Sequence, residues 1–236
     1  MAGISDSEFL NKVIPYGFDV ATLGGYSLDA PTIEASRKIV ERGRKEFDFP
    51  LDKIFSHIEN EIASIKKVHN DVKVSANVRA TTPQPIIDVG KIKDLDIVEI
   101  NCHCRQEEII DIGCGQNMLK RPDLKEFISE IVDGVNCEVS VKIRANVDGV
   151  DTLEIAKLIE DAGADYLHID AMKKNVFDAD YDLVKKVCES TKIKVIGNNS
   201  LNCEDNIKKM IDTGVYGFSI ARAVISGNLN FNISQF

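Results

Sequence analysis

The chain has 236 residues, 44% of them hydrophobic and 28% charged, a globular composition that excludes a disordered or fibrous chain. Its formal net charge of −9 has the wrong sign for broad electrostatic capture of nucleic acid, which sets an RNA-binding reading at a disadvantage. The apolar runs fall far short of the roughly 20 residues needed to cross a bilayer. The start MAGISDSEF has neither a basic opening nor an apolar stretch, so a soluble, cytoplasmic protein with no membrane partner is expected.

In chain order, the pattern predicts a helix over 5–14, a strand near 18–23 and helices over about 32–46 and 51–68. From residue 71 onward, short β-branched runs alternate with helix-period segments, as in consecutive βα units on a parallel sheet. The predicted strands are 72–79, 96–101, 138–144, 165–170, 193–198 and 215–220, and the clearest helices are 151–163 and 202–214. These two helices end in Gly163 and Gly214, residues suited to a left-handed stop. Counting Met1 to Gly3 as the tail of a further strand gives eight, which predicts a single α/β domain over 1–236, a (β/α)8 TIM barrel with its first strand and last helix incomplete.

In such a barrel, chemistry sits where the strands stop. The strand ends are Asn77 with Arg79, Asn101 with Cys102 to Cys104, Lys142 with Arg144, His168 with Asp170, Asn198 with Asn199, and Ala221 with Arg222. A lysine on a strand buried on both faces loses hydration without repayment unless it binds an anion or pairs with a carboxylate, so Lys142 marks either a ligand site or a plug in the barrel mouth. IGNNS at 196–200 and IARA at 220–223 occupy the usual phosphate position of barrel enzymes, against the plainer reading of a left-handed turn at Gly197 and a surface arginine. Cys102, His103, Cys104 and Cys114 include soft metal ligands, but their spacing lacks the paired C-x₂₋₄-C of structural zinc, so no metal is expected. A strand-end thiol acting as acid or nucleophile is the alternative there, with Cys102, Cys137 and Cys188 read as small core residues.

Taken together, these segments resemble the barrel of the dihydrouridine synthase family, flavin enzymes that reduce uridines in transfer RNA. MAGISDSEF is similar to the family's P-M-A-G-v-T-D-x-x-F, EINCHCRQ to i-N-x-G-C-P, GCGQNMLKRPD to G-x-G-a-x-L-l-x-d-P, and VSVKIRA to v-t-V-K-x-R. KVIGNNS and GFSIARA resemble v-i-a-N-G-d-I and g-v-M-I-G-R-G, and VSANVRA the segment where the family carries a glutamine for the flavin ring. The resemblance implies reduction of the C5–C6 double bond of a uracil, with FMN as cofactor, NADPH as reductant and tRNA or a small pyrimidine as substrate. It implies Cys104 as the proton donor. FMN would be held by Met1, Ala2, Gly3, Asn77, Lys142, His168, Asn198, Asn199, Ala221 and Arg222, and substrate by Asn101 and Arg144.

The chain departs from the family pattern in places. His103 and Arg105 replace a glycine and a proline around Cys104, Asp170 stands where the family has a flavin-contacting histidine, Met172 replaces an arginine, and Ala221 and Ala223 replace two glycines. Beside a flavin phosphate, Asp170 would repel, while His168 lies two residues away on the same side of the strand. The sequence is expected to stop short of the family's helical tRNA-gripping domain, and the short barrel ends predict either a homo-oligomer that covers the gap or a start codon placed too late. Two further readings stay open: a small-molecule flavin oxidoreductase of the dihydroorotate dehydrogenase type, and a barrel without redox chemistry that binds a phosphorylated ligand.

Overall fold

A computed structural model describes residues 3–236, so the expectations for Met1 and Ala2 lie outside the described residues. Seven strands form one parallel sheet in the order β1 to β7: β1 (Val20–Ser27), β2 (Lys73–Arg79), β3 (Ile97–Cys102), β4 (Glu138–Arg144), β5 (Tyr166–Asp170), β6 (Lys194–Asn198) and β7 (Gly217–Phe218). The helices are α1 (Ser7–Val13), α2 (Ala30–Glu41), α3 (Leu51–Val68), α4 (Gln84–Gly90), α5 (Glu107–Asp111), α6 (Leu124–Gly134), α7 (Thr152–Asp161), α8 (Tyr181–Ser190) and α9 (Glu204–Ile211). Neighbours along the chain are neighbours in the sheet, which is the TIM-barrel order.

The eighth strand is not found among the described residues, and the sheet is curled rather than closed. Gly3 lies in a turn, and Ser5 makes only an isolated antiparallel bridge to Gly24. A Cβ on Gly3 would lie 2.7 Å from the backbone of Lys45 and Glu46, so its small size serves a chain crossing. The helix expected to run to residue 46 stops at Glu41, where Gly43, with φ of 84°, turns the chain. The last strand shrinks to two residues.

Along β2, β4 and β5 the outward side chains are apolar and the inward ones mainly polar. On β4, Val139, Val141 and Ile143 face the helices, whereas Ser140, Lys142 and Arg144 alternate with them. On β5, Leu167 and Ile169 alternate with Tyr166, His168 and Asp170. A hydrogen bond from His168 on β5 to Glu99 on β3, passing over β4, shows which face is concave, because strands spaced about 4.8 Å apart are brought within reach only by inward curling. The hydrophobic core therefore lies between sheet and helices. On α3, Ile54, Ile58, Ile62 and Ile65 form one buried stripe against it.

Truncating Ile62 to alanine is expected to cost about 2–5 kcal/mol by urea denaturation. The same change at Val68, 62% exposed at the end of the helix, should stay within about 0.5 kcal/mol.

Candidate active site at the strand ends

The register places Asn101, Lys142 and His168 side by side on β3, β4 and β5, with Arg144, Asp170 and Asn198 one layer nearer the C-terminal rim on β4 to β6. Beneath them runs a chain of hydrogen bonds through the barrel interior. Asn101 Nδ2 donates to Asn77 Oδ1 at 2.8 Å, and Asn77 Nδ2 donates to Glu99 Oε1 at 2.8 Å. Glu99 Oε2 meets His168 Nδ1 at 2.6 Å and accepts from Ser140 Oγ at 3.2 Å. His168 Nε2 lies 2.6 Å from Ser219 Oγ, which also accepts from Asn198 Nδ2 at 2.9 Å. Asn77, Glu99, Asn101, Ser140 and His168 are all buried.

Burial alone would raise the Glu99 carboxyl, but the adjoining His168 ring, the charge of Lys142 and the hydrogen bonds from His168 and Asn77 outweigh it and hold the group well below the usual carboxylate range. Burial lowers His168, Lys142 adds to that, and Glu99 opposes it, which leaves the ring neutral at pH 7. An ionised Glu99 only accepts, so the His168 proton sits on Nδ1 and the Ser219 hydroxyl donates to Nε2. Both nitrogens of His168 thus have protein partners. The ring expected to stand in for a flavin-contacting histidine instead braces Glu99.

Cys104 sits half-buried after β3, its backbone held at both ends. Its N–H donates to Asn101 Oδ1 at 3.1 Å, and its carbonyl accepts from Gln116 N–H at 2.8 Å. Gly115, with φ of 60°, permits that second contact, since a Cβ there would lie 2.3 Å from the Cys104 oxygen. The GCGQN segment is therefore the clamp of the thiol loop. Asn101, expected to bind substrate, has both side-chain atoms engaged inside the protein, one on Asn77 and one on the loop.

The guanidinium of Arg79, 2% exposed, donates to Ser27, Ser36 and Glu46 Oε2, the last at 2.8 Å, and its Nη1 lies 3.9 Å from Cys104 Sγ. Glu46, Glu99, Ser140 and Ser219 were not singled out from the sequence. Glu99 had a visible signal, a carboxylate two residues before Asn101 and hence on the same face of a β-branched strand. Glu46 had none.

Asp170 does not stand as a free negative charge. Its carboxylate pairs with Arg144 Nη2 at 2.8 Å and accepts from Asn199 Nδ2 at 2.6 Å. Arg144 is further held by the His103 carbonyl and Met172 Sδ, so the aspartate and methionine that depart from the family pattern receive the arginine between them. Lys142, by contrast, is half-buried and has no carboxylate within 4.0 Å among the described residues. The left-handed residues of the loop after β6 are Asn199 (φ 109°) and Ser200 (φ 55°), not Gly197, whose missing side chain makes room for Met210. Ala221 is half-buried and precedes a short 3₁₀ turn, from which Arg222 projects into solvent.

The cysteines of the 102–114 segment separate. Cys102 packs on Met118 Sδ and burial pushes its thiol up, while Cys114 packs toward the Ala80 carbonyl and is pushed up to about 12 by burial. Among the described residues, no three His, Cys, Asp or Glu side chains converge as a metal site.

A family model described as dihydrouridine synthase (Dus) matches residues 51–227. The chain belongs to the dihydrouridine synthase family. A Methanocaldococcus jannaschii protein described as uncharacterised is 36% identical, over 98% of this chain and 89% of its own length. tRNA-dihydrouridine synthase B of Vibrio vulnificus is 25% identical over 94% of this chain, which spans 65% of that relative. Among solved structures, a putative lyase/mutase from Burkholderia cenocepacia superposes with a TM-score of 0.60 at 15% identity, covering 94% of this chain and 76% of its own, a likeness of fold alone. No helix among the described residues is long and apolar enough to cross a membrane.

The buried network sets a pH dependence. His168 and His103 are lowered by burial, so below about pH 6.5 the unfolded chain binds protons that the folded chain does not. Glu99 acts in the same sense below about pH 4.3. Stability measured by urea denaturation should therefore fall from pH 7 to pH 5, and fall less steeply in a His168→Gln variant.

Proposed function

We propose that this chain is a flavin-dependent reductase of the C5–C6 double bond of a uracil base, with FMN held over the strand ends and tRNA as the substrate. The observation that supports it best is the half-buried Lys142, without a carboxylate partner, beside the Asn101 that holds the Cys104 loop.

The residues present fit FMN. Lys142 lies on the concave face with no carboxylate within 4.0 Å among the described residues, suited to the electron-rich edge of the ring. Asn199 and Ser200 keep the left-handed backbone where the family motif has its glycine, so the phosphate loop keeps its path despite the substitutions. Asn198 lines that loop and Arg222 supplies a cation at its edge. Asp170, neutralised by Arg144, no longer opposes an anion there.

Held there, FMN would supply hydride chemistry toward C6 of the uracil, and NADPH is the electron donor we assign. Cys104 gives its thiol proton to C5, which completes the reduction, and the resulting thiolate is reprotonated from water. The Arg79 guanidinium, paired with Glu46, places an N–H beside Sγ. Asn101 and Gln116 keep the thiol from swinging away, and Arg144, paired with Asp170, holds the neighbouring His103 carbonyl. The acidic net charge favours a second reading, with a free pyrimidine as substrate.

Purified protein should show flavin absorbance that Lys142→Met diminishes. Cys104→Ala should retain the flavin and its reduction by NADPH, yet lose uridine reduction on an unmodified tRNA transcript by about 10²–10⁴-fold. Protein without affinity for FMN would defeat the reading, and turnover of free uracil but not tRNA would favour the second.

A further inference from the structure

We infer that Glu99 is a positioning residue that sets the direction of the side-chain hydrogen bonds running from Asn101, under the Cys104 loop, through Asn77 and His168 to the Ser219 hydroxyl. The inference rests on the proposed role of Cys104 and assigns a task to a buried carboxylate that touches neither thiol nor solvent.

Glu99 is the one acceptor-only side chain in the chain of contacts, and both its oxygens are used. Oε1 obliges Asn77 to turn its amino group inward, which leaves Asn77 Oδ1 facing Asn101. Asn101 must then present its amino group to Asn77 and its oxygen to the Cys104 N–H. Reversing any one of these amides sets a donor against a donor. In particular, a flipped Asn101 would aim its amino group at the Cys104 amide and break the contact that holds the N-terminal side of the thiol. On the other side, Oε2 requires the Nδ1–H form of His168, which in turn requires the Ser219 hydroxyl to donate to Nε2, while Asn198 donates to both the Ser219 carbonyl and its hydroxyl oxygen. One carboxylate thus fixes side chains on β2 and β5, the thiol loop after β3, and the segment after β7.

Replacing Glu99 by glutamine tests the polarity without changing shape. Oε1 must still accept from Asn77, so the new amino group faces His168. The imidazole is then forced to move its proton from Nδ1 to Nε2. Imidazole 15N spectra at pH 7 should show an Nδ1–H neutral ring in the wild type and an Nε2–H ring in Glu99→Gln. A wild-type ring protonated on Nε2 or on both nitrogens, or a ring unchanged in the variant, overturns the inference.

A second arm reads the thiol loop. Glu99→Leu, which leaves Asn77 without its acceptor, should lower kcat for uridine reduction by about a hundredfold, the scale of a misplaced reacting group. KM for tRNA and flavin content should be unchanged, and Glu99→Gln, which keeps Oε1, should recover most of the rate. Equal loss in both variants, or loss of flavin in step with rate, would mean a structural role only and overturn it. If the wild type reduces no uridine, the reaction reading fails while the 15N result still decides the network.

Discussion

An ionised carboxylate at the centre of a protein is tolerable only when its neighbours replace the water it has lost, and the interior of this barrel is organised around that requirement. Glu99 receives donors from three strands, and Lys142 adds a positive charge nearby. Because the inward face of the sheet is committed to these contacts, the hydrophobic core has to lie on the outward face, where the isoleucine stripe of α3 and its counterparts on the other helices cover the strands. The polar interior and the apolar shell are two results of one alternation along each strand.

That alternation also explains how much was legible beforehand. Five of the seven strands lie close to where β-branched runs are bounded by turn residues, because period and burial coincide there. The ends of the sheet were less legible. The first strand runs on to Ser27 through a Gly-Gly-Tyr segment that breaks the β-branched pattern, and the last keeps only two residues. The expected eighth strand would need a parallel pairing, and the described N-terminal segment offers a single antiparallel bridge.

At the site, strand position was readable and pairing was not. The sequence places Asn77, Asn101, Lys142, His168 and Asp170 on one rim, but a linear pattern carries no information on which side chain satisfies which. Asp170 looked like an obstacle to an anionic ligand because its partner, Arg144, lies 26 residues earlier and was reserved for substrate. His168 looked available because its two partners lie 69 and 51 residues away in the chain. Glu46, in a segment read as helix, reaches Arg79 only because the helix stops at Glu41.

The departures around Cys104 follow the same logic. Where the family pattern has a glycine and a proline, this chain has His103 and Arg105, and the backbone stiffness a proline confers is absent. Contacts from outside the loop supply restraint in its place: Asn101 from below, Gln116 from the following turn, and the His103 carbonyl tied to Arg144. Arg144 is in turn held by Asp170, the residue that replaces the family's histidine. Asp170 thus steadies Arg144, Arg144 holds the His103 carbonyl, and the thiol loop is fastened to the barrel rim through that pair.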